Sequence, residues 1–313
     1  MSTPAVVSGA CAPAAICTLP ALHCQGTALP HPRSRLPSPQ VFTLQDLGMQ
    51  PALLQAFADH AGALPWDPYD VARQRRAMLY RHHSILRPQA RERLAQWDGS
   101  EADPAWPALL DLLPSMLRAA LLRVAPHRRR ALRKYLMQRV TTASWIAQAL
   151  DDPHFEQPAT GGRAPRRTFA LLPAALACHP DMLRLLAGVA ETVYQRCGAQ
   201  RLAVSAHQML TVAAAHGTAQ PAPEGIHQDG ADYIVSALVL RRRNVGGGVS
   251  RVYRGRGGRL LLSRTLEEGQ GLFQPDAGSP LWHEVTAIHS EDDAPGERMI
   301  LGLDVNVLAD GAS

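Results

Sequence analysis

The chain has 313 residues, 46% of them hydrophobic, which is enough to bury the core of one large domain or of a core domain with a helical extension. Its net charge of +5 comes almost entirely from arginine, and only 5% of the residues are aromatic. No segment approaches the roughly 20 apolar residues of a membrane-spanning helix, and the N-terminus lacks a signal-peptide pattern, so we expect no membrane partner.

The basic clusters and the cysteines both favour an ordinary intracellular protein. The two clusters, His127–Arg130 and Arg241–Arg243, have no aromatic residues close by, so we expect solvated surface and no nucleic-acid partner. The five cysteines contain no CxxC pair and are odd in number. This pattern argues against a disulfide framework and predicts a reduced, cytoplasmic protein.

The first half of the chain divides into a leader and a helical region. Residues 1–40 are rich in Ala, Pro and Ser, which predicts a disordered leader whose deletion would leave activity and melting temperature nearly unchanged. Residues 41–165 are predicted to be a helical region that packs on the core. Its apolar-periodic runs lie at about 46–60, 69–83, 115–124 and 127–150.

The second half of the chain has a sequence pattern typical of short β-strands. After a further predicted helix at 181–196, which begins behind Pro180, short alternating or apolar runs appear between Gly-containing turns. Seven such runs in about 110 residues predict a barrel or jelly roll. They are 202–212, 233–240, 249–253, 259–263, 271–273, 281–288 and 299–307. We therefore predict an α+β protein, mainly β: a double-stranded β-helix (cupin-like) at residues 166–313 with an N-terminal helical region.

Three residues in this half have the pattern of a metal site. His227 and Asp229 are separated by one residue before an apolar strand, so their side chains point to the same side of an extended chain. His283 lies 56 residues later on another predicted strand. Two imidazoles and one carboxylate form the facial triad of non-haem Fe(II) oxygenases and leave metal positions open. His179-Pro180-Asp181 also matches H-x-D, but it opens a helix and has no following strand.

Arg298 strengthens this interpretation. It lies 15 residues after His283, at the start of the last apolar strand. A dicarboxylic oxo-acid cosubstrate needs a cation for its distal carboxylate, and arginine can offer two parallel hydrogen bonds. The order H-x-D, then His, then Arg predicts an oxygenase that binds such a cosubstrate.

The sequence resembles the 2-oxoglutarate/Fe(II) dioxygenase family that includes bacterial free L-isoleucine hydroxylases. The resemblance is carried by a set of short segments spread along the chain: Pro65–Tyr69 with Arg73 and Arg75, His207-Gln208, Pro223–Gly230 (PEGIHQDG), Asp232–Ile234, Asn244 with its glycines, His283–Thr286 and Arg298. It departs from the family at Thr286-Ala287, where a proline is expected, and in a longer stretch over 88–140.

The resemblance implies a double-stranded β-helix in which His227, Asp229 and His283 bind Fe(II) and Arg298 binds 2-oxoglutarate. It implies O2-dependent hydroxylation with release of succinate and CO2. The substrate it implies is a free amino acid or similar small metabolite, for which Gln208, Glu224 and Arg73 are candidate contacts. Two alternatives remain at this point: a cupin-like metal-binding or structural protein without oxygenase activity, and an Arg-rich nucleic-acid binder.

Overall fold

A computed structural model describes residues 21–29, 37–97, 101, 103–156 and 166–309. The expectation for the rest of the leader lies outside these residues. Among the helices that are described, none is long and apolar enough to cross a membrane.

Seven α-helices are present in the described chain. They are α1 (Ala52–His60), α2 (Asp70–Arg81), α3 (Pro88–Gln96), α4 (Ala105–Asp111), α5 (Ser115–Leu122), α6 (Ala174–Ala177) and α7 (Pro180–Cys197). The predicted helices at α2, α5 and α7 are confirmed. Helix α7 begins with Pro180, after His179 Nδ1 accepts a hydrogen bond from the Asp181 backbone, and it ends at Gly198 with φ of 76°.

The strands form one large sheet and three small ones. They are β1 (Leu22–Gln25), β2 (Gln40–Thr43), β3 (Arg128–Thr141), β4 (Ser144–Leu150), β5 (His154–Phe155), β6 (Arg167–Thr168), β7 (Ala170–Leu171), β8 (Arg201–Ala213), β9 (Thr218–Ala219), β10 (Tyr233–Arg243), β11 (Val245–Gly247), β12 (Val249–Arg254), β13 (Arg259–Thr265), β14 (Gln270–Pro275), β15 (Leu281–Val285), β16 (Ile288–Ser290) and β17 (Gly296–Val307). Each of the seven predicted runs overlaps a strand.

The large sheet has the order β1-β4-β3-β8-β17-β10-β14-β2, with β7 beside β3. A smaller sheet, β13-β12-β15, faces it, and β11-β16-β9 and β5-β6 complete the β structure. The mainly β jelly-roll core with added helices is the predicted fold class. Helix α7 covers the outer face of the large sheet, where its buried side chains join the main core with Leu202, Val204 and Ala206 of β8.

The predicted helix over 127–150 is wrong, because these residues form the antiparallel hairpin β3-β4. Burial alternates with period two: Tyr135 and Met137 are 1% exposed, whereas Leu136 between them is 39% exposed. The hairpin turns at Ala143, which has φ of 55°. Strand β3 pairs with β8 over eleven residues, and this distant partner decides the conformation. The β core therefore extends well before residue 166.

The leader prediction is also wrong for its described part. Strand β1 pairs with β4 in register from Leu22 opposite Ala147 to Gln25 opposite Ser144. Cys24 and Leu29 are buried, and the Leu29 backbone N–H donates to Thr192 Oγ1 of α7 at 2.9 Å. A composition rich in small residues does not prevent pairing when a sheet edge and a helix surface are available.

Candidate metal centre and substrate pocket

A pocket opens between the large sheet and the β13-β12-β15 sheet. Strands β8 and β17 line it with alternate side chains, His207, Met209 and Thr211 from one and Arg298, Ile300, Gly302 and Asp304 from the other. The opposite wall carries Ser250 of β12 and His283 of β15. The site thus lies inside the jelly roll, where strand alternation aims side chains inward.

The three predicted metal-binding residues come together in this pocket. The ligand atoms of His227, Asp229 and His283 all lie within 4.8 Å of one another. His227 Nε2 is 3.5 Å from Asp229 Oδ1, and His283 Nε2 is 3.4 Å from Asp229 Oδ2. The backbones of His227 and His283 form an isolated antiparallel bridge, with N–H···O distances of 2.9 and 3.0 Å. This bridge joins two segments that are 56 residues apart.

The polypeptide around the triad holds the imidazoles in defined orientations. His227 Nδ1 lies 2.7 Å from the Gly225 carbonyl oxygen, so Nδ1 carries the proton and Nε2 is left to face the pocket. Behind His283, Nδ1 faces Asp276 Oδ1 at 3.8 Å. Gly225 and Gly230 have φ of 71° and 94°, a backbone conformation that favours glycine and turns the chain on both sides of the H-x-D segment.

The charges of the triad are matched to one another. Burial alone would raise the pKa of Asp229, but hydrogen bonds from His227 and His283 hold it well below its ordinary value. Burial would likewise lower the pKa of His227, yet the Asp229 carboxylate raises it above the usual value. Burial, with Asp229 nearby, raises the pKa of Asp276 to about 6. A carboxylate flanked by two imidazoles is a donor set that fits a divalent iron ion with open coordination positions.

Arg298 lies in the same pocket and is 2% exposed. Its Nε and Nη2 have no hydrogen-bond partner among the described residues. Burial and the nearby Arg242 lower its pKa to about 10, so the guanidinium is still charged at neutral pH. Gly248 packs against it, and a Cβ there would lie 2.9 Å from Arg298 Cδ. A buried cation with two unmatched N–H groups is suited to a carboxylate ligand.

Two of the three candidate substrate contacts lie in the pocket and one does not. Arg73 and Glu224 both line the pocket and form an ion pair with each other. Gln208 does not, and its prediction as a substrate contact is wrong. It follows His207 on β8, so its side chain lies on the opposite face, where Nε2 donates to the Phe57 carbonyl at 3.3 Å and Oε1 contacts His60 Nδ1 at 3.0 Å.

Several pocket residues were missed by sequence reasoning. Arg128 and Arg130 were predicted to be solvated, but they are 2% and 6% exposed and both line the pocket. His207 and Asp304 also line it, with His207 Nε2 3.3 Å from Asp304 Oδ2. Burial, and then Asp229, raise the pKa of Asp304 to about 8. The sequence signal for Asp304 was its even spacing from Arg298 on one predicted strand, because alternate residues of a strand point to the same face.

The family model for 2OG-Fe dioxygenases matches residues 121–304, more than half of the chain, and the chain belongs to this family. It is therefore a 2-oxoglutarate-dependent dioxygenase that uses Fe(II), 2-oxoglutarate and O2 and acts on a small molecule. The prediction that the chain is an enzyme is confirmed, and the alternative of a cupin-like protein without oxygenase activity is not supported. None of the curated proteins matches the chain significantly.

Solved structures resemble the chain at low sequence identity. A bsmA homologue from Methylobium petroleophilum PM1 is 23% identical, with a TM-score of 0.52 over 60% of this chain and 75% of that one. A protein named IDO from Bacillus thuringiensis is 18% identical (TM-score 0.48, 58% and 78% covered). The Fe(II)/α-ketoglutarate-dependent dioxygenase TqaL is 12% identical (0.46, 87% and 83%). The likeness to the first of these supports the fold.

Proposed function

We propose that His227, Asp229 and His283 hold the Fe(II) of this dioxygenase and that Arg298 binds the distal carboxylate of 2-oxoglutarate. The observation that carries the proposal is the meeting of three ligand atoms within 4.8 Å in one pocket that also contains the buried, unmatched Arg298. When bound, iron with 2-oxoglutarate and O2 supplies an oxidant for an unactivated C–H bond and releases succinate and CO2.

The protein residues orient the reactants and shield them from water. Gly225 fixes the tautomer of His227, and the bridge between His227 and His283 keeps the two imidazoles on one side of the site. Arg298 sits on β17 beside Thr211 of β8, deep between the two sheets. A cosubstrate held between Arg298 and the triad would therefore have a single orientation.

The substrate we propose is a free amino acid or similar small metabolite, which the enzyme hydroxylates. The resemblance of the PEGIHQDG segment to amino-acid hydroxylases supports this class. Glu224 on the pocket wall supports it too, because its carboxylate, although paired with Arg73, is an acceptor for the ammonium group of a zwitterion. Turnover of a panel of standard L-amino acids, measured as succinate release above the substrate-free rate, tests it. Uniform background rates would contradict the amino-acid class.

The metal assignment is tested by iron binding. His227→Ala, Asp229→Ala and His283→Ala should each lose bound Fe(II) after anaerobic loading, because each removes one of three protein ligands, and each should keep the wild-type circular dichroism. Wild type with Fe(II) and 2-oxoglutarate should show a weak visible absorption band that the three variants lack. His289→Ala is the matched control, since His289 is exposed on β16. Loss of iron in that control together with retention in His283→Ala would contradict the assignment.

A further inference from the structure

Arg130 on β3 is, like Arg298, a buried cation of the pocket with an unmatched N–H group. Its side chain is 6% exposed and lines the same cavity as His227 and Asp229. Nη2 lies 3.1 Å from His207 Nδ1, and Nε has no hydrogen-bond partner among the described residues. A buried guanidinium without a carboxylate partner is costly, so its presence points to a ligand that supplies the missing acceptor.

The other arginines that line the pocket are already paired, apart from Arg298. Arg128 donates to Asp67 Oδ2 at 2.9 and 3.1 Å and to the Pro221 carbonyl at 3.0 Å. Arg251 lies 3.2 Å from Glu284, and Arg73 is bound to Glu224. In the described pocket, therefore, buried unmatched guanidinium N–H groups belong to Arg130 and Arg298.

Aromatic rings hold Arg130 in place. Its Cζ lies 4.3 Å from the ring centre of Phe169 and 5.5 Å from that of Phe155, and Phe155 in turn packs edge-on against His207 at 4.6 Å. Burial and the neighbouring Arg128 lower its pKa to about 9, against the opposing effect of Asp67 and Asp304, neither of which forms an ion pair with it, and leave it protonated at neutral pH. A charged group fixed in this way loses little side-chain entropy when it binds an anion.

Strand register places Arg130 away from the cosubstrate cation. Arg130 is opposite Met209, and Met209 is opposite Ile300, whereas Arg298 is opposite Thr211 in the next inward-facing row. Two strand spacings separate β3 from β17, on the order of 10 Å. We therefore expect a 2-oxoglutarate molecule that lies between Arg298 and the triad to leave Arg130 available to the second reactant.

We infer that Arg130 binds an anionic oxygen group of the substrate. The group is a carboxylate or a phosphate: the α-carboxylate of a neutral amino acid, a side-chain carboxylate, or a phosphate ester. The inference rests on the proposed function, since it concerns what enters the pocket beside the iron and 2-oxoglutarate. Arg130 then selects for acids and turns the substrate so that its uncharged part faces the triad.

Binding to the full chain loaded with Mn(II) and N-oxalylglycine, an unreactive mimic of 2-oxoglutarate, tests the inference because the mimic occupies Arg298. The probes are neutral L-amino acids, their primary amides, L-aspartate, L-glutamate and O-phospho-L-serine, titrated by calorimetry. The proteins are wild type, Arg130→Gln, Arg130→Lys and the control Arg129→Gln. Arg129 is the neighbouring residue on the other face of β3, where it lies over the Trp66 ring at 4.4 Å.

We expect at least one acid to bind wild type and Arg129→Gln equally and to bind Arg130→Gln at least about 30-fold more weakly. Arg130→Lys should recover part of the affinity, which also shows that the site is folded. The probes that bind identify the anionic group. A loss of affinity on amidation indicates the α-carboxylate, and binding restricted to aspartate, glutamate or phosphoserine indicates the side-chain group.

The inference is overturned if no anionic probe distinguishes wild type from Arg130→Gln. It is also overturned if the amides bind as tightly as the acids and the probes with acidic side chains bind no more tightly than the neutral amino acids. A third contradicting result is that Arg130→Gln raises the Michaelis constant for 2-oxoglutarate instead of weakening substrate binding. Succinate release measured without substrate distinguishes a failure of this inference from a failure of the proposed function. That release needs only the triad and Arg298, so wild type and the control Arg129→Gln should both show it, and its absence from wild type would contradict the metal site itself.

Discussion

At the scale of single residues, strand alternation decides which side chains reach the pocket. His207 lines the pocket that contains His227, Asp229 and His283, whereas Gln208 faces helix α1, although the two are adjacent in sequence. On β17, Arg298 and Asp304 point inward while Met299 and Leu301 between them enter the main core. The role of a residue in this enzyme therefore depends on which face of the strand it occupies as much as on its chemistry.

Arg298 should bind the cosubstrate and leave the iron site intact. Breaking a partly buried, charge-assisted pair costs roughly 2–5 kcal/mol, or about 30-fold to several thousand-fold in affinity. Arg298→Ala should therefore keep its iron and show a steep rise in the Michaelis constant for 2-oxoglutarate. Arg298→Lys should recover only part, because an ammonium lacks the planar two-donor geometry. The measurement is turnover against 2-oxoglutarate at saturating iron, and an unchanged curve for Arg298→Ala would remove this anchor.

At the scale of elements, the N-terminal strand β1 closes one edge of the large sheet and touches α7. Its closest approach is at Gly26, where a Cβ would lie 2.1 Å from the Gly188 backbone nitrogen. The helix and the chain after β1 can approach this closely only because both positions are glycine. Deleting residues 1–40 should consequently lower the melting temperature, the reverse of what composition alone suggests.

Gly26→Ala should destabilise the fold, since the new methyl group meets backbone atoms that cannot move aside. We expect a loss of about 2 kcal/mol or more in the free energy of unfolding. Gly62→Ala is the matched control, because a Cβ there has nothing within 4 Å and the residue has no positive φ. Thermal melting of both variants provides the comparison. Equal melting temperatures would mean that β1 does not pack on α7 as described.

At the scale of the whole molecule, helices α2–α5 have their own core, and several contacts attach them to the β structure. Their buried residues include Leu79, Leu94 and the stacked pair Trp97 and Trp106. One attachment lies just before α2, where the Asp67 backbone N–H donates to the Arg128 carbonyl at 2.9 Å. The Asp67 carboxylate is fully buried and receives two bonds from the Arg128 guanidinium.

Asp67→Asn should weaken this attachment. Removing one member of a buried ion pair typically costs 3–5 kcal/mol, and because Asp70 remains 3.8 Å from Arg128 we expect about 3 kcal/mol. Asp111→Asn is the control, since Asp111 forms only an exposed 3.8 Å pair with Arg118, which contributes little. Denaturant unfolding near pH 7 gives both values. A loss no larger than that of the control would show that the pair does not connect the two parts.

The same pair predicts how stability depends on pH. Burial alone would raise the pKa of Asp67, but Arg128 and Arg130 lower it below its ordinary value. A lowered carboxyl pKa contributes stability above the unfolded-state value of about 3.9 and loses it as the pH falls through the folded-state value. The difference in melting temperature between wild type and Asp67→Asn should be constant from pH 5 to 7 and shrink below about pH 4. A difference that stays constant in acid would contradict this linkage.

The sequence by itself determined the features that depend on local order. Spacing by two residues identified His227 and Asp229, the run of short strands indicated a jelly roll, and Pro180 with the following apolar period defined α7. Only the tertiary structure decided the conformation of β3 and β1 and the places of Arg130 and Gln208. These depend on partners far along the chain, such as β8 for β3, and on which face of a strand is inward. No short window of sequence contains that information.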